Sequence, residues 1–402
     1  MTEPTTEPVV FDPYSVEFFD DPYAMYARLR DEAPVYFNPD YEFYALSRYQ
    51  DVFEASMNWD VFSSAHGSTL SDLKDPNFVP VMIINIDPPH HDRLRGLVNR
   101  AFSPKGVARM EQVVRDVIDT TLAPLAGRTS FDAVADFSAI FPNEIISAVL
   151  GIPPEDRPSI RRWTDQILNR SEGTGELADE TVQAYIAQYQ YFCELVREKR
   201  AHPADDMITH LTEAEIATED GSTTRLSDDE VAGFALVLGA AGTETVTKLI
   251  GNAIVLFHRH RDQLELLLAD PARAPAAVEE VPRYWAPSHL QGRFTTRDIT
   301  LHDTTIPAGQ AVFLVTGSAN RDPRAYAEPD RFDITRTDLP APLGLGRGPH
   351  YCIGAALARM ESRIALSEFV TRWPNFDLDE IAVQRVRMAN VAGYSNIPVT
   401  VA

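Results

Sequence analysis

The sequence is short of cysteine, of basic residues relative to acidic ones, and of uninterrupted apolar runs, and each shortage excludes something. Two cysteines in 402 residues, Cys193 and Cys352, cannot build a disulfide framework, so a reducing compartment is the default. Lys and Arg number 36 against 59 Asp and Glu, a formal net charge of -23, which argues against a nucleic-acid footprint and against binding to anionic lipid. No stretch approaches the roughly 18 uninterrupted apolar residues of a membrane helix. The start, Met1-Thr-Glu-Pro-Thr-Thr-Glu-Pro8, has neither the basic nor the apolar segment of a signal peptide. A soluble cytoplasmic protein with no membrane anchor and no nucleic-acid partner is expected. Internal repeats, low-complexity blocks and interdomain linkers are also missing, so residues 1–402 are expected to form one domain, with 1–21 a flexible lead-in. What is present is apolar material, 44% of residues, enough for a large core.

Helical periodicity dominates the chain. Proline at the start of Pro22–Arg30 predicts a helix, Val35–Phe37 and Phe43–Leu46 around Asn38-Pro-Asp40 predict a hairpin, and residues 48–57 predict a short helix. Periodicity is lost from Ser63 to Asp87, and so long a loop in a compact domain is usually functional. Helical patterns then run from His90 to about residue 285. The strongest helix start is the capping box Ser227-Asp-Asp-Glu230, followed by an almost wholly apolar helix to about His258. Strand-like runs return at Thr300-Leu301 and Ala311–Val315, before an irregular proline-rich stretch, a helix behind Cys352 and a terminal strand pair. A mainly α fold with a smaller β-rich region follows.

Four segments carry chemistry. Leu343–Arg359 is a glycine-rich loop that runs into Cys352, with strong helix formers from Ala355 onward. A cysteine at a helix start meets unpaired N–H groups and the positive end of the dipole, which favour a thiolate. Such a thiolate suits axial ligation of haem iron, although a lone cysteine is often only a small buried hydrophobe. Within the apolar helix, Ala240-Ala-Gly-Thr-Glu-Thr245 sets an acid and two hydroxyls where a charge needs a partner or a task. Gly242 predicts a kink or widened turn there; the bland alternative is a threonine bonded to its own helix and a glutamate paired elsewhere. Glu280 and Arg283, three apart, share a helix face and can pair, while Pro282 between them predicts a shortened or bent helix. His91 and Arg95, four apart, can grip carboxylates together; adjacent His90 and His91 lack clustered partners at metal-ligand spacing.

Taken in order, these segments resemble the cytochrome P-450 family. Gly348, Cys352 and Gly354 fit its haem signature F-x-x-G-x-x-x-C-x-G, with Leu345 in the phenylalanine position; Gly242-Thr-Glu-Thr245, Glu280-Val-Pro-Arg283 and Asp87-Pro-Pro-His-His-Asp-Arg-Leu-Arg95 resemble three further family motifs. The resemblance implies haem b sandwiched between the long helix and the cysteine-loop helix, with Cys352 as the iron ligand and Gly348 and Gly354 beside the cofactor. His91, Arg95, Arg293 and His350 would hold the propionates, and Glu244 and Thr245 would manage protons on the distal face. Glu280, Arg283 and a third member, Arg336 or less favoured Arg331, would lock the cysteine loop. The implied activity is a monooxygenase that inserts one oxygen atom of dioxygen into a hydrophobic small molecule by hydroxylation, dealkylation or epoxidation. Electrons from NAD(P)H would arrive through a ferredoxin or flavodoxin of a bacterial system, docked near Arg93, Arg100, Lys105, Arg347 and Arg359 on a monomer. By position, Phe78, Met82, Ile83, Leu236, Val237, Ala240, His289, Leu290 and Tyr394 would line the substrate pocket. Leu345 keeps the thiolate surroundings apolar but should shift the reduction potential. The alternatives are a haem-thiolate enzyme that uses peroxide or catalyses coupling or rearrangement, and a haem-binding sensor.

Overall fold

The computed structural model describes residues 8–74, 82–99, 102, 104–168, 179–217, 222–337 and 339–401. Residues 8–21 of the expected flexible lead-in are packed on the domain. Ser15 caps a short helix, Val16–Asp20, by accepting from the Phe18 N–H. Phe11 is fully buried against Phe18, Tyr26, Tyr36 and Phe43. An aromatic side chain that can be removed from water gains about 1.5–3 kcal/mol, enough to hold down an otherwise polar terminus.

Helix α1 (Tyr23–Glu32) follows Pro22, and strands β1 (Val35–Asn38) and β2 (Phe43–Leu46) form the expected antiparallel hairpin, with Val35 opposite Leu46. The Asn38 side chain closes its turn by accepting from the N–H groups of Asp40 and Tyr41. After α2 (Tyr49–Met57) and β3 (Phe62–Ser63), the sheet is completed by strands from far along the chain, β4 (Gln291–Thr295) and β5 (Ala311–Leu314). The order is β1-β2-β5-β4-β3, with β5 parallel to β2 and all other pairs antiparallel. All four residues of β5 are buried, which explains their unbroken apolar run.

The helical body comprises α3 (His90–Val98), α4 (Glu111–Leu122), α5 (Phe141–Leu150), α6 (Arg157–Leu168), α7 (Asp179–Ala201), α8 (Asp228–Arg259), α9 (Ala274–Tyr284) and α10 (Ala355–Arg372), among shorter pieces. Helix α8 begins at the complete capping box of Ser227 and Glu230. At 32 residues it spans about 48 Å. By length and hydropathy α8 could cross a membrane; here it is the axis of the domain, packed on α5, α7 and α10. It runs unbroken through Gly242, without the widened turn expected there. A Cβ on Gly242 would lie 3.4 Å from the Ile146 side chain of α5, an ordinary contact distance. Helix α9 likewise runs through Pro282 and ends two residues later, where the Trp285 N–H closes on the Val281 carbonyl. Near the C-terminus β6 (Gln384–Arg385) pairs with β7 (Tyr394–Asn396).

Candidate functional site

The loop that presents Cys352 is held from three sides. Asn320 accepts the Leu343 N–H at 2.7 Å while its amide donates to the Pro282 carbonyl at 3.3 Å, and the Cys352 N–H reaches back to the Leu345 carbonyl at 2.8 Å. Gly346 and Gly348 have φ of 70° and 65°, where a side chain is strained. A Cβ on Gly348 would stand 2.6 Å from the Ser56 carbonyl oxygen of α2. Gly348 is therefore needed for the loop to dock on α2, a neighbour other than the cofactor that the resemblance implied. A Gly348→Ala variant is expected to lose at least about 1–2 kcal/mol of stability from backbone strain alone, read by urea unfolding. Gly354 has no neighbour within 4 Å of its Cβ position, so its side faces open space.

Helix α10 begins at Ala355, three residues beyond Cys352. The helix start alone does not make the sulfur an anion: burial pushes the Cys352 thiol up, and the Gly354 N–H, Arg95 and Arg359 oppose it without prevailing. A thiolate at this depth needs a cation of its own.

Beside the cysteine lies a convergence of donors. The His91 and His350 rings are 4.5 Å apart, both have a buried Nε2 with no protein partner, and His91 Nδ1 meets Asp92 at 3.0 Å. Arg95 donates to the Tyr351 carbonyl at 2.6 Å and is still half-exposed toward the same space. Arg293 on β4 is buried, donates at 2.7 Å to its own neighbour's carbonyl, that of Gly292, and is pulled down to about 10 by burial. Burial, then Arg293, His91 and Arg95, push His350 down to about 3. Cationic and imidazole groups so crowded call for an anion with several oxygens.

On α8, Ala241 is exposed and Thr245 half-buried at mid-helix, one turn apart on one face. The Thr245 hydroxyl donates to the Ala241 carbonyl at 2.9 Å, so the threonine is bonded to its own helix while remaining half-exposed. Glu244 pairs with Lys248 at 3.0 Å. Neither Ala241 nor Lys248 was singled out from sequence. The signals were their spacings, one turn before Thr245 and one turn after Glu244.

Glu280 and Arg283 form a buried bidentate pair at 2.6 and 2.8 Å, and Arg336 joins Glu280 at 3.3 Å. Arg331 contributes its backbone carbonyl, which accepts from Arg283 at 3.0 Å; its side chain pairs elsewhere. Arg283 also donates to the Asn320 and Pro329 carbonyls, and Asn320 leads directly to the cysteine loop.

The pocket residues separate. Leu236 and Val237 are buried on α8, Ala240 is half-buried beside them, and Met82 and Ile83 are half-buried at a short turn before α3. His289 and Leu290 belong elsewhere: both enter the N-terminal aromatic layer. His289 meets the Tyr26 hydroxyl at 3.0 Å, stacks on Phe18 and is pushed down to about 4 by burial, while Leu290 joins Phe11, Tyr26 and Phe313. The Tyr394 ring packs against Trp285 under Arg385, and burial pushes its phenol up to about 12. Phe78 and Arg100 lie outside the described residues. Of the proposed docking cations, Arg93 and Lys105 are exposed, Arg347 lies over the Tyr351 ring, and Arg359 is engaged by Glu279 and the Tyr351 hydroxyl.

With this geometry in view, the chain is 38% identical over 395 residues, 98% of its own length and 97% of the relative's, to a protein named putative cytochrome P450 123 from Mycobacterium tuberculosis. The chain belongs to the cytochrome P450 family. Its family model matches residues 274–388. Another P450 relative, named vitamin D(3) 25-hydroxylase, from Pseudonocardia autotrophica, is 35% identical over 100% of this chain and 98% of its own. Among solved P450 structures, CYP109Q5 from Chondromyces apiculatus superposes with a TM-score of 0.87 at 33% identity over 98% of both chains. CYP109E1 from Bacillus megaterium, in complex with corticosterone, gives 0.85 at 31% identity over 94% of this chain and 98% of that one. The expected fold is thus borne out. As a P450 the protein is a haem-thiolate monooxygenase. The residues present fit that group: a sulfur in need of a cation, two orphaned imidazole nitrogens beside two guanidinium groups, and open faces at Gly354 and Ala241.

Proposed function

We propose that this P450 holds haem b by Cys352, seats the two propionates on His91, Arg95, Arg293 and His350, and oxygenates a hydrophobic small molecule bound against Val237, Ala240 and Ala241. The observation that supports this reading is the unpartnered Nε2 of both His91 and His350 in the segments that flank Cys352, with Ala241 exposed and Thr245 half-buried in the middle of the otherwise buried α8. Haem bound between them supplies dioxygen binding and activation. The protein's part is to position and to move protons. Thr245, anchored on the Ala241 carbonyl, offers its hydroxyl to the distal space, and Glu244 carries protons in from solvent; placed acid–base groups of this kind contribute typically 10²–10⁴-fold, roughly. The apolar wall of α8 keeps bulk water out and gives a greasy substrate its contacts.

Glu244→Gln and Thr245→Ala are each expected to leave the thiolate-type spectrum of the reduced carbon monoxide complex intact. Both should lower product formed per dioxygen consumed by roughly tenfold or more. Intact coupling in both variants would favour a peroxide-driven reaction or a rearrangement, which needs no relay. A relative named for vitamin D(3) and neighbours solved with corticosterone and testosterone make sterol-like compounds the first probes for a spectral binding screen.

Electrons are proposed to come from NAD(P)H through a cytoplasmic ferredoxin or flavodoxin. Both partners and this chain are acidic, so local cations must overcome net repulsion. Exposed Arg93 and Lys105 serve this better than Arg359, which Glu279 already neutralises. Charge reversal at Arg93 and Lys105 together is expected to slow reduction about tenfold at low salt, with carbon monoxide binding unchanged. Unaltered reduction rates would place the docking site elsewhere.

A further inference from the structure

Asn252 of α8 and His289, ahead of β4, each keep a buried polar atom that no group among the described residues meets. Asn252 is 1% exposed and His289 3%. The Asn252 amide nitrogen donates to the carbonyls of Trp285 and Ala392, both at 3.4 Å, which fixes the orientation of the group and turns its unpartnered Oδ1 the other way. His289 engages the Tyr26 hydroxyl through Nδ1 at 3.0 Å, and its Nε2 is the atom left over. Polar atoms at this depth are costly to leave unpaired.

Both residues line one cavity of about 10 Å³, where α8 meets the segment before β4 and the connection from β6 to β7, together with Tyr23, Trp285, Arg385 and Val391. That is room for a single water molecule. The lining also selects by charge. The Ala389 carbonyl reaches the His289 ring and favours a proton on it, while burial keeps the imidazole neutral, pushed down to about 4. A neutral ring has one N–H, and with Nδ1 taken by the Tyr26 hydroxyl that N–H is at Nε2. An anion here would face two oxygens, the Asn252 Oδ1 and the Ala389 carbonyl. A cation would face the Nε2 proton and the Arg385 guanidinium, which lies over the Trp285 and Tyr394 rings at 4.5 and 4.9 Å. The ligand that suits is small, neutral, and able to accept once and donate twice.

We propose that this cavity is a built site for one water molecule, which accepts from His289 Nε2, donates to Asn252 Oδ1 and to the Ala389 carbonyl, and so stitches the β6–β7 connection to α8. The same connection is tied to the segment before β4 by the Ala392 N–H, which donates to the Pro287 carbonyl at 2.7 Å, and by the bridge of Val391 with Ser288. Water adds the link to the central helix. Asn252 stands seven residues beyond Thr245, so two turns along the same face and about 10 Å away. The site therefore governs how firmly the connection is seated just past Thr245.

The test uses the haem-loaded enzyme: crystal structures of the wild type and His289→Gln, and amide exchange resolved at Ala392 in the wild type, His289→Phe, His289→Gln and Tyr26→Phe. The wild-type crystal is expected to show one water within about 3.2 Å of both Asn252 Oδ1 and His289 Nε2. Glutamine can still accept from Tyr26 and donate into the cavity, so His289→Gln should keep the water and the wild-type exchange rate. Phenylalanine removes the donor, and Ala392 should then exchange roughly tenfold faster, as for the loss of one net hydrogen bond. Tyr26→Phe breaks the bond to His289 without touching the water and should stay within about twofold of the wild type. A dry cavity in the wild-type crystal, or an ion in place of the water, overturns the proposal. So does wild-type exchange in His289→Phe, or an equal acceleration in Tyr26→Phe, which would trace the effect to the aromatic layer instead. Should His289→Phe fail to fold, the wild-type and His289→Gln crystals decide by themselves.

Discussion

Replacing Cys352 by serine is expected to abolish the thiolate-type spectrum and lower turnover by roughly a thousandfold or more, about 4 kcal/mol of barrier, while the apoprotein unfolds at nearly the wild-type urea concentration. The structure separates these outcomes. The loop is shaped by backbone groups, the Cys352 N–H on the Leu345 carbonyl and the Leu343 N–H on Asn320, and none of them uses the sulfur. Serine is nearly isosteric, so the cradle persists. A hydroxyl buried at the same depth stays neutral, because even the more acidic thiol is pushed up there. With Cys352 as the proposed holder of the haem, the variant would lack the anionic sulfur donor that the cofactor's chemistry calls for. Should the urea midpoint fall by more than about 1 kcal/mol equivalent, Cys352 would count as a packing residue as well.

Arg283→Met is expected to be the most destabilising single change, by about 3–5 kcal/mol, because it takes the bidentate partner from a Glu280 carboxylate at 3% exposure and leaves it only Arg336 at 3.3 Å and the Asp333 N–H. It also takes the donor from three carbonyls, those of Asn320, Pro329 and Arg331. Glu280→Gln should cost less, since the amide oxygen can still accept from Arg283. Arg336→Met should cost least: Arg336 meets Glu280 at 3.3 Å and otherwise binds carbonyls near the surface. Urea unfolding with haem content as a second measure checks the order. The same loss in all three variants would mean that the cluster melts as a unit. Because Asn320 links Arg283 to Leu343, haem retention should fall in the same order.

What could be read from the residues was whatever is encoded within a few positions. The capping box of Ser227, the hairpin around Asn38, the spacing of Gly348, Cys352 and Gly354, and the pairing of Glu280 with Arg283 all depend on neighbours three to ten residues away. The misplaced residues depend on partners far along the chain. His289 was given to the substrate, yet its partner is Tyr26, 263 positions away. Gly348 has a second demand on it from far away, since a Cβ there would meet the Ser56 carbonyl. Phe11 looked like part of a loose tail because the rings that bury it come from four other segments. Pro282 was expected to shorten or bend its helix, and α9 ends two residues beyond it; Gly242 was expected to disturb α8, which runs on through it.

The five-stranded sheet has a temporal meaning as well. Its inner strand β5 lies between β2 and β4, so β2 must wait for a partner synthesised about 250 residues later. At ordinary translation rates of roughly 5–20 residues per second that is a delay of tens of seconds. Through it the N-terminal aromatic cluster lacks its late members Leu290, Phe313 and Val315, and Cys352 does not yet exist. The site that the proposed cofactor needs is complete only once about seven-eighths of the chain has been made, which makes haem capture a late event in this protein's biogenesis and its nascent hairpin the segment most in need of a chaperone.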